Sequence, residues 1–228
     1  STPEFPKQFH DMTGAGVSLL QSTCRRLENF ILSSNIFIVT QGRYQKMIID
    51  QLGDRLSSDQ LICEPDHRNT APCILMASLK IKKINPHAKI VICPSDHVIV
   101  DEKLFEEDIK LALDHANEKN LITFGIRPDF PAIGFGYVAI EKDQIDSKLN
   151  KVTAFTEKPD KVTAQRFIDA QNYFWNSGIF VWSVVAVLEG FKTHAPALYD
   201  LFYSGFDLLN TDSEEAFIAH NYPLAENI

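Results

Sequence analysis

With 228 residues, 45% of them hydrophobic, the chain is long enough for one large domain, or one domain with a small appendage, around a real core. Charged residues make up 23%, as in an ordinary soluble protein, and no apolar run reaches the length of a bilayer-spanning helix. The net charge of −8 speaks against nonspecific nucleic-acid binding, which rests on Lys and Arg neutralising phosphates, so a polyanionic ligand would need cations focused in one cleft.

The chain opens on Ser1-Thr2-Pro3-Glu4 with no strand before it, and without a charged-then-apolar leader. A cytoplasmic location is therefore expected, with neither a membrane nor a nucleic acid as partner. A parallel sheet that begins with a loop is expected to have lost its first strand. Ser18–Phe30 reads as a helix, then Ile36–Thr40 as a strand, Arg43–Leu52 as a helix and Leu61–Cys63 as a strand. A further helix starts near Thr70, where Asn69 or Thr70 can cap it and Pro72 suits its first turn. The strand candidate Lys89–Cys93 contains Ile90-Val91-Ile92, an apolar run without alternation, as for a strand covered on both faces. Phe105, Ile109, Leu113 and Ala116 recur at helical spacing. Strands are then expected over Leu121–Ile126, Gly136–Ile140 and, after a polar connection, Lys151–Thr156. Asp160 can cap a helix over about Lys161–Gln171, and Asn172–Trp182 passes from turn to strand, with its strand over Ile179–Trp182. The tail from Val184 is helical, leaning on Phe191, Leu198, Leu201 and Phe202, and the chain stops at Ile228 as a new apolar segment starts. Alternating strand and helix predicts an α/β fold with a mostly parallel, doubly wound sheet flanked by helices. Ligands on such sheets collect at the carboxyl ends of strands.

Polar islands beside these apolar runs carry the chemistry. Phe5-Pro6-Lys7-Gln8-Phe9 offers Lys7, either a phosphate lysine or an exposed one. Arg68-Asn69-Thr70 stands at a predicted helix start, where free N–H groups welcome an anion or a base edge, or where simple capping takes place. Pro94-Ser95-Asp96-His97 follows the buried strand. Asp96 there is a hard ligand of the kind Mg²⁺ takes one or two of, or a cap for the next turn. In Glu157-Lys158-Pro159 the proline pushes Lys158 towards an extended backbone, making it a point charge for phosphate or half of a surface Glu–Lys pair. Trp175-Asn176-Ser177-Gly178 matches sugar hydroxyls with amide and hydroxyl groups, or is an Asn-Ser-Gly turn entering a strand. The four cysteines, Cys24, Cys63, Cys73 and Cys93, lack the close spacing of a zinc or redox motif and read as reduced thiols. The seven histidines show no metal-ligand spacing.

The joint order of Phe5–Phe9, Glu64–Pro72, Pro94–Ile99, Gly125–Tyr137, Phe155–Pro159 and Asn172–Val181 resembles the sugar-nucleotide pyrophosphorylases, and within them the mannose-1-phosphate guanylyltransferases. The resemblance runs to about His194-Ala195-Pro196. It implies a Rossmann-like nucleotidyltransferase fold in one domain over 1–228, its N-terminal half binding nucleotide and its C-terminal half sugar phosphate. It implies GTP and mannose 1-phosphate as substrates and Mg²⁺ as cofactor; a homo-oligomer is compatible with it. Carried over by position, Lys7, Arg68, Asn69, Thr70, Pro94 and Asp96 would lie at the nucleotide, with Asp96 the metal ligand. Gly136, Tyr137, Glu157, Lys158 and Asn176 would hold the sugar phosphate. Lys7, Asp96 and Lys158 would carry the chemistry, with Lys158 facing the same cleft as Asp96 and Asn176. The family's Gly-Gly-x-Gly-Thr-Arg-Leu-Trp-Pro-Leu-Ser signature is expected just before Lys7, and only its last residue, Ser1, is present. Thr2 stands where these enzymes often carry Arg, and Asp66-His67 where Val-Gly is commoner. A second metal Asp is expected beyond Ile228, so the 228 residues need not turn over by themselves. Two alternatives remain at this point: the same chemistry on another sugar 1-phosphate, and a regulatory or binding subunit that keeps the fold without turnover.

Overall fold

A computed structural model describes Thr2, residues 4–142 and residues 147–228. Ser1, the remnant of the expected signature, and part of the polar connection before Lys151 lie outside the described residues. The chain divides into two compact units, one formed by Ser1–Leu121 with Val181–Ile228 and the other by Ile122–Phe180.

The first unit alternates strand and helix as expected. α1 (Leu19–Glu28) starts at Ser18, whose hydroxyl accepts from the Gln21 amide while the Gln21 side chain accepts from the Ser18 N–H. β1 (Ile38–Gln41) lies parallel to β2 (Leu61–Glu64), with Ile38 opposite Leu61 and Gln41 opposite Glu64. Between them runs α2 (Gln45–Leu52). α3 (Thr70–Ile84) buries Pro72 and every residue from Ile74 to Lys80, the pattern of a helix enclosed on all sides. β3 (Lys89–Ile92) and α4 (Glu102–His115) follow. Of the helical stripe read from the sequence, Phe105, Ile109 and Ala116 are buried, and Ala112 is buried where Leu113 is only half-buried. Ile90 is buried, whereas Val91 and Ile92 are half-buried. They line a trough of about 540 Å³ together with Phe37, Val39, Ala77 and Ile81. None of the residues nominated for the site lines that trough.

The second unit is built on antiparallel pairing. β5 (Tyr137–Ile140), buried along its whole length, pairs with β6 (Val152–Thr156) on one side and β7 (Tyr173–Ser183) on the other. β4 (Leu121–Ile126) also pairs with β7. α5 (Lys161–Ala170) starts at Asp160, whose carboxylate accepts from the Thr163 N–H at 2.7 Å, and ends at Gln171 in the left-handed conformation. The last residues of β7, Val181–Ser183, belong to the first unit, where α6 (Val184–His194), α7 (Pro196–Tyr203) and α8 (Glu214–Asn221) close the chain. Leu198 and Phe202 are buried there, while Phe191 and Leu201 are half-buried.

Trp175-Asn176-Ser177-Gly178 lies inside β7 rather than in a turn before it. Trp175 sits opposite Tyr137, and ladder pairing outweighs the local turn preference of Asn-Ser-Gly.

Close strand approach also explains Gly125. A Cβ on this residue would stand 2.8 Å from the Phe174 Cβ, well inside contact distance. Because Phe174 is fixed at its Cβ by its own strand, Gly125→Ala is expected to destabilise the fold by about 1–3 kcal/mol. Urea unfolding would measure this, and an unchanged midpoint would show that β4 and β7 separate at no cost.

Candidate functional site

Lys7 stands in a 3-10 turn, Lys7–Phe9. The turn is anchored by Phe9, which packs with Leu20, Cys24, Tyr44, Ile48 and Leu52 and whose carbonyl accepts from Gln51 Nε2 at 3.0 Å. Asp96 sits in the turn after β3, just beyond Pro94. The two meet: Lys7 Nζ is 2.7 Å from Asp96 Oδ2. The Lys7 side chain is 55% exposed and that of Asp96 28%, so the pair is open to a ligand. His97 Nε2 lies 3.8 Å from Asp96 Oδ1. Burial lowers the His97 pKa against the opposing pull of Asp96, and the nearby Lys7 and Arg26 charges lower it too. The balance favours the neutral imidazole.

The segment ahead of α3 is held from the far end of the chain. Arg68 Nη2 donates to the Pro223 carbonyl at 2.5 Å and lies 2.9 Å from Asp66 Oδ2. Tyr222 donates its hydroxyl to the Glu64 carboxylate. Asn69 occupies the cap position of α3 with φ 58° and ψ −158° and makes no side-chain cap bond. The expected side-chain capping by Asn69 is thus corrected: its backbone turns so sharply that its amide does not reach the helix N–H groups. Thr70 is the first residue of the helix itself.

In the second unit, Gly136, Glu157 and Asn176 come together. A Cβ on Gly136 would stand 2.7 Å from Glu157 Oε2 and 3.6 Å from the Asn176 Cβ, so only glycine leaves that carboxylate in place. The Asn176 N–H donates to the Gly136 carbonyl at 2.8 Å. Asn176 Oδ1 accepts from Thr123 Oγ1 at 3.1 Å and from the Gly178 N–H at 3.3 Å. Its Nδ2 makes no hydrogen bond among the described residues, which leaves two donors for a ligand. Lys158 follows β6 and lies 3.3 Å from Glu157 Oε1, with 65% of its side chain exposed. Its φ is 42°, not the extended value that Pro159 favours. Pro159 is buried and Asp160 must face α5 as its cap, so the chain reverses at Lys158. Tyr137 serves the core, its hydroxyl donating to the Ala132 carbonyl at 2.9 Å.

All four cysteines are free. Burial pushes the Cys24 thiol up to about 11 and those of Cys73 and Cys93 up to about 12, so these three carry no thiolate at neutral pH. Among the described residues no helix is long and apolar enough to cross a membrane. No group of three His, Cys, Asp or Glu side chains is placed among them to hold a metal ion unaided. Sequence reasoning missed Tyr222 and Pro223, and gave Glu64, the first residue of the Glu64–Pro72 run, no such partner. Nothing local marks the pairing, since the Tyr222–Glu64 contact spans 158 residues.

Comparison with known proteins adds to this geometry. The nucleotidyl transferase family model matches residues 2–218. A mannose-1-phosphate guanylyltransferase of Escherichia coli is 37% identical over 202 residues, covering 86% of this chain and 43% of that protein. The alginate biosynthesis protein AlgA of Pseudomonas aeruginosa is 33% identical over 202 residues, covering 88% of this chain and 42% of its own length. The chain thus spans less than half the length of these curated relatives. The solved structure of a mannose-1-phosphate geranyltransferase from Thermus thermophilus shares the fold, with a TM-score of 0.86 at 23% identity. The match covers 100% of this chain and 63% of that one.

Proposed function

We propose, from the premise that this chain belongs to the nucleotidyl transferase family, that it transfers a guanylyl group from GTP to mannose 1-phosphate, giving GDP-mannose and pyrophosphate. The observation that carries the reading is the Lys7–Asp96 pair, a cation and a carboxylate held together at the end of β3. Similarity to proteins named mannose-1-phosphate guanylyltransferase supports the choice of substrates.

The chemistry needs no catalytic base. A phosphate oxygen of the sugar phosphate, already ionised at neutral pH, attacks the α-phosphorus of GTP in line. The bond from that phosphorus to the bridging oxygen breaks, and pyrophosphate leaves with the electron pair. The protein aligns two anions and screens their repulsion. Lys7 would leave Asp96 for the nucleotide phosphates. Asp96 would then hold Mg²⁺, which is satisfied by one or two protein carboxylates plus phosphate oxygens, so a lone carboxylate fits. When bound, the ion supplies positive charge against the phosphates. Arg68–Thr70 would meet the guanine base. Lys158 and the free amide donors of Asn176 would hold the sugar phosphate, with Glu157 accepting from sugar hydroxyls beside the bare face of Gly136.

The reading is tested by a nucleotide panel with mannose 1-phosphate as acceptor. GTP is expected to react faster than ATP or UTP by at least about tenfold, the discrimination that one good polar contact to the base supplies. Equal rates with all three would end the guanylyl assignment.

A further inference from the structure

We propose that Tyr222 and Pro223 are positioning residues that hold the Arg68–Thr70 segment in its ligand-binding shape. The inference rests on the reading of that segment as nucleotide-contacting, and it adds residues to which neither their sequence position nor the family resemblance points.

The segment is short and bent. It joins the end of β2 at Glu64 to the start of α3 at Thr70. At Asn69 the backbone has φ 58° and ψ −158°, a region that L side chains rarely adopt and that is essentially glycine's own. A non-glycine residue stays there only when its surroundings over-determine it. Two anchors do so from the same place. Before the bend, Glu64 accepts the hydroxyl of Tyr222, a side chain only 1% exposed and packed 5.5 Å from the Phe202 ring. Next to the bend, Arg68 donates to the Pro223 carbonyl while pairing with Asp66. Both anchors come from one 3-10 turn, Tyr222–Leu224, directly after α8. After the bend, Cys73 Sγ donates to the Thr70 carbonyl at 3.0 Å and Pro72 is buried, which fixes the helix side.

The grip of the C-terminal segment continues along α3. Lys80, buried, pairs with Glu214, and Lys83 Nζ donates to the carbonyls of Asp207 at 2.7 Å and Leu209 at 2.5 Å. Asn210 Nδ2 donates to the Lys80 carbonyl at 3.2 Å. The stretch that leads into the turn holding Arg68 is therefore fastened to the helix whose first residue the segment delivers. Tyr222 and Pro223 act through Arg68 and Asn69, by setting the angle at which the segment enters α3.

The test uses the full-length protein with Tyr222→Phe, which keeps the ring and removes only the hydroxyl. Two quantities are read: amide hydrogen exchange over residues 64–70, and the separate KM values for GTP and mannose 1-phosphate. Exchange in that segment is expected to rise about tenfold while α1 stays protected, as befits one lost buried hydrogen bond. The KM for GTP is expected to rise about tenfold, with kcat and the sugar-phosphate KM within about twofold. Arg68→Lys should give the same split, because a single ammonium does not reproduce the guanidinium's fixed fork towards Asp66 and Pro223. Asn69→Gly should blunt the Tyr222→Phe effect on exchange, because glycine holds the bend without help. If GTP is not a substrate of the unaltered protein, the nucleotide reading itself falls. If GTP reacts and Tyr222→Phe changes neither its KM nor local exchange, the reading stands and the positioning role is overturned. A rise in exchange throughout the first unit would also overturn it, by making Tyr222 a general core residue.

Discussion

Lys158→Ala is expected to cut coupling of mannose 1-phosphate by about 10²–10³, the loss of one preorganised contact worth roughly 3–4 kcal/mol in the transition state. The sugar phosphate is at once a dianion and the attacking group, so its charge must be screened as it nears the triphosphate. Lys158 is suited to this as a compact cation on a flexible stem. It is 65% exposed and its ion pair is with the equally exposed Glu157, an interaction of little worth to the fold. Its φ of 42° is a cost to stability rather than a gain. The substitution should therefore leave the unfolding midpoint almost unmoved while activity collapses. GTP binding should persist, since Lys7, the residue proposed for the nucleotide, belongs to the other unit. Calorimetric titration of GTP beside a turnover assay separates these outcomes. A collapse of GTP affinity with unaltered saturation by sugar phosphate would assign Lys158 to the wrong substrate.

Asp96→Asn should show the opposite balance between metal and nucleotide. The amide keeps the shape of the carboxylate but loses its charge, and with it the proposed hold on Mg²⁺. Turnover is expected to drop by on the order of 10³, in line with the several kcal/mol of charge stabilisation a metal ion supplies to phosphoryl transfer. In metal-free buffer GTP should bind as well as before or better, because Lys7 is released from its 2.7 Å pair and offers its full charge to phosphate. Stability should change by less than about 1 kcal/mol, as for other partly exposed ion pairs. The decisive measurement is Mg²⁺-dependent turnover of the variant. A full response to the metal would remove Asp96 from the mechanism.

Local chemistry made much of this fold legible. β4 was expected over the residues it occupies, and Ser18 and Asp160 begin their helices because short polar side chains satisfy the free N–H groups there. Two of the misjudged places are those where distant partners override local preference. Asn176 and Ser177 lie within a strand because β5 pairs beside them. Asn69 holds a glycine-like conformation because the turn at Tyr222–Leu224 pins its neighbours. The site shows the same division. Lys7 and Asp96 could each be nominated from their neighbours, yet their contact spans the whole of β1 to β3. Glu64 stood in a run that could be nominated, but its partner Tyr222 carried no local signal at all.

The pairing of β4 with β7 has a further consequence for how such a protein can change. The chain enters the second unit through one of these strands and leaves through the other, and the one Thr123 hydroxyl proton is shared between Asn176 Oδ1 at 3.1 Å and the Ile179 carbonyl at 3.2 Å. Everything between Thr123 and Ile179 is thus a closed excursion from the first unit. Doubling the length of such a loop adds only about 0.6 kcal/mol of closure entropy. Insertions, deletions or wholesale exchange of this excursion need not disturb the register of β1 with β2, which form a sheet of their own. The second unit, proposed to choose the sugar, is in that sense a replaceable cartridge, free to drift towards other hexose phosphates.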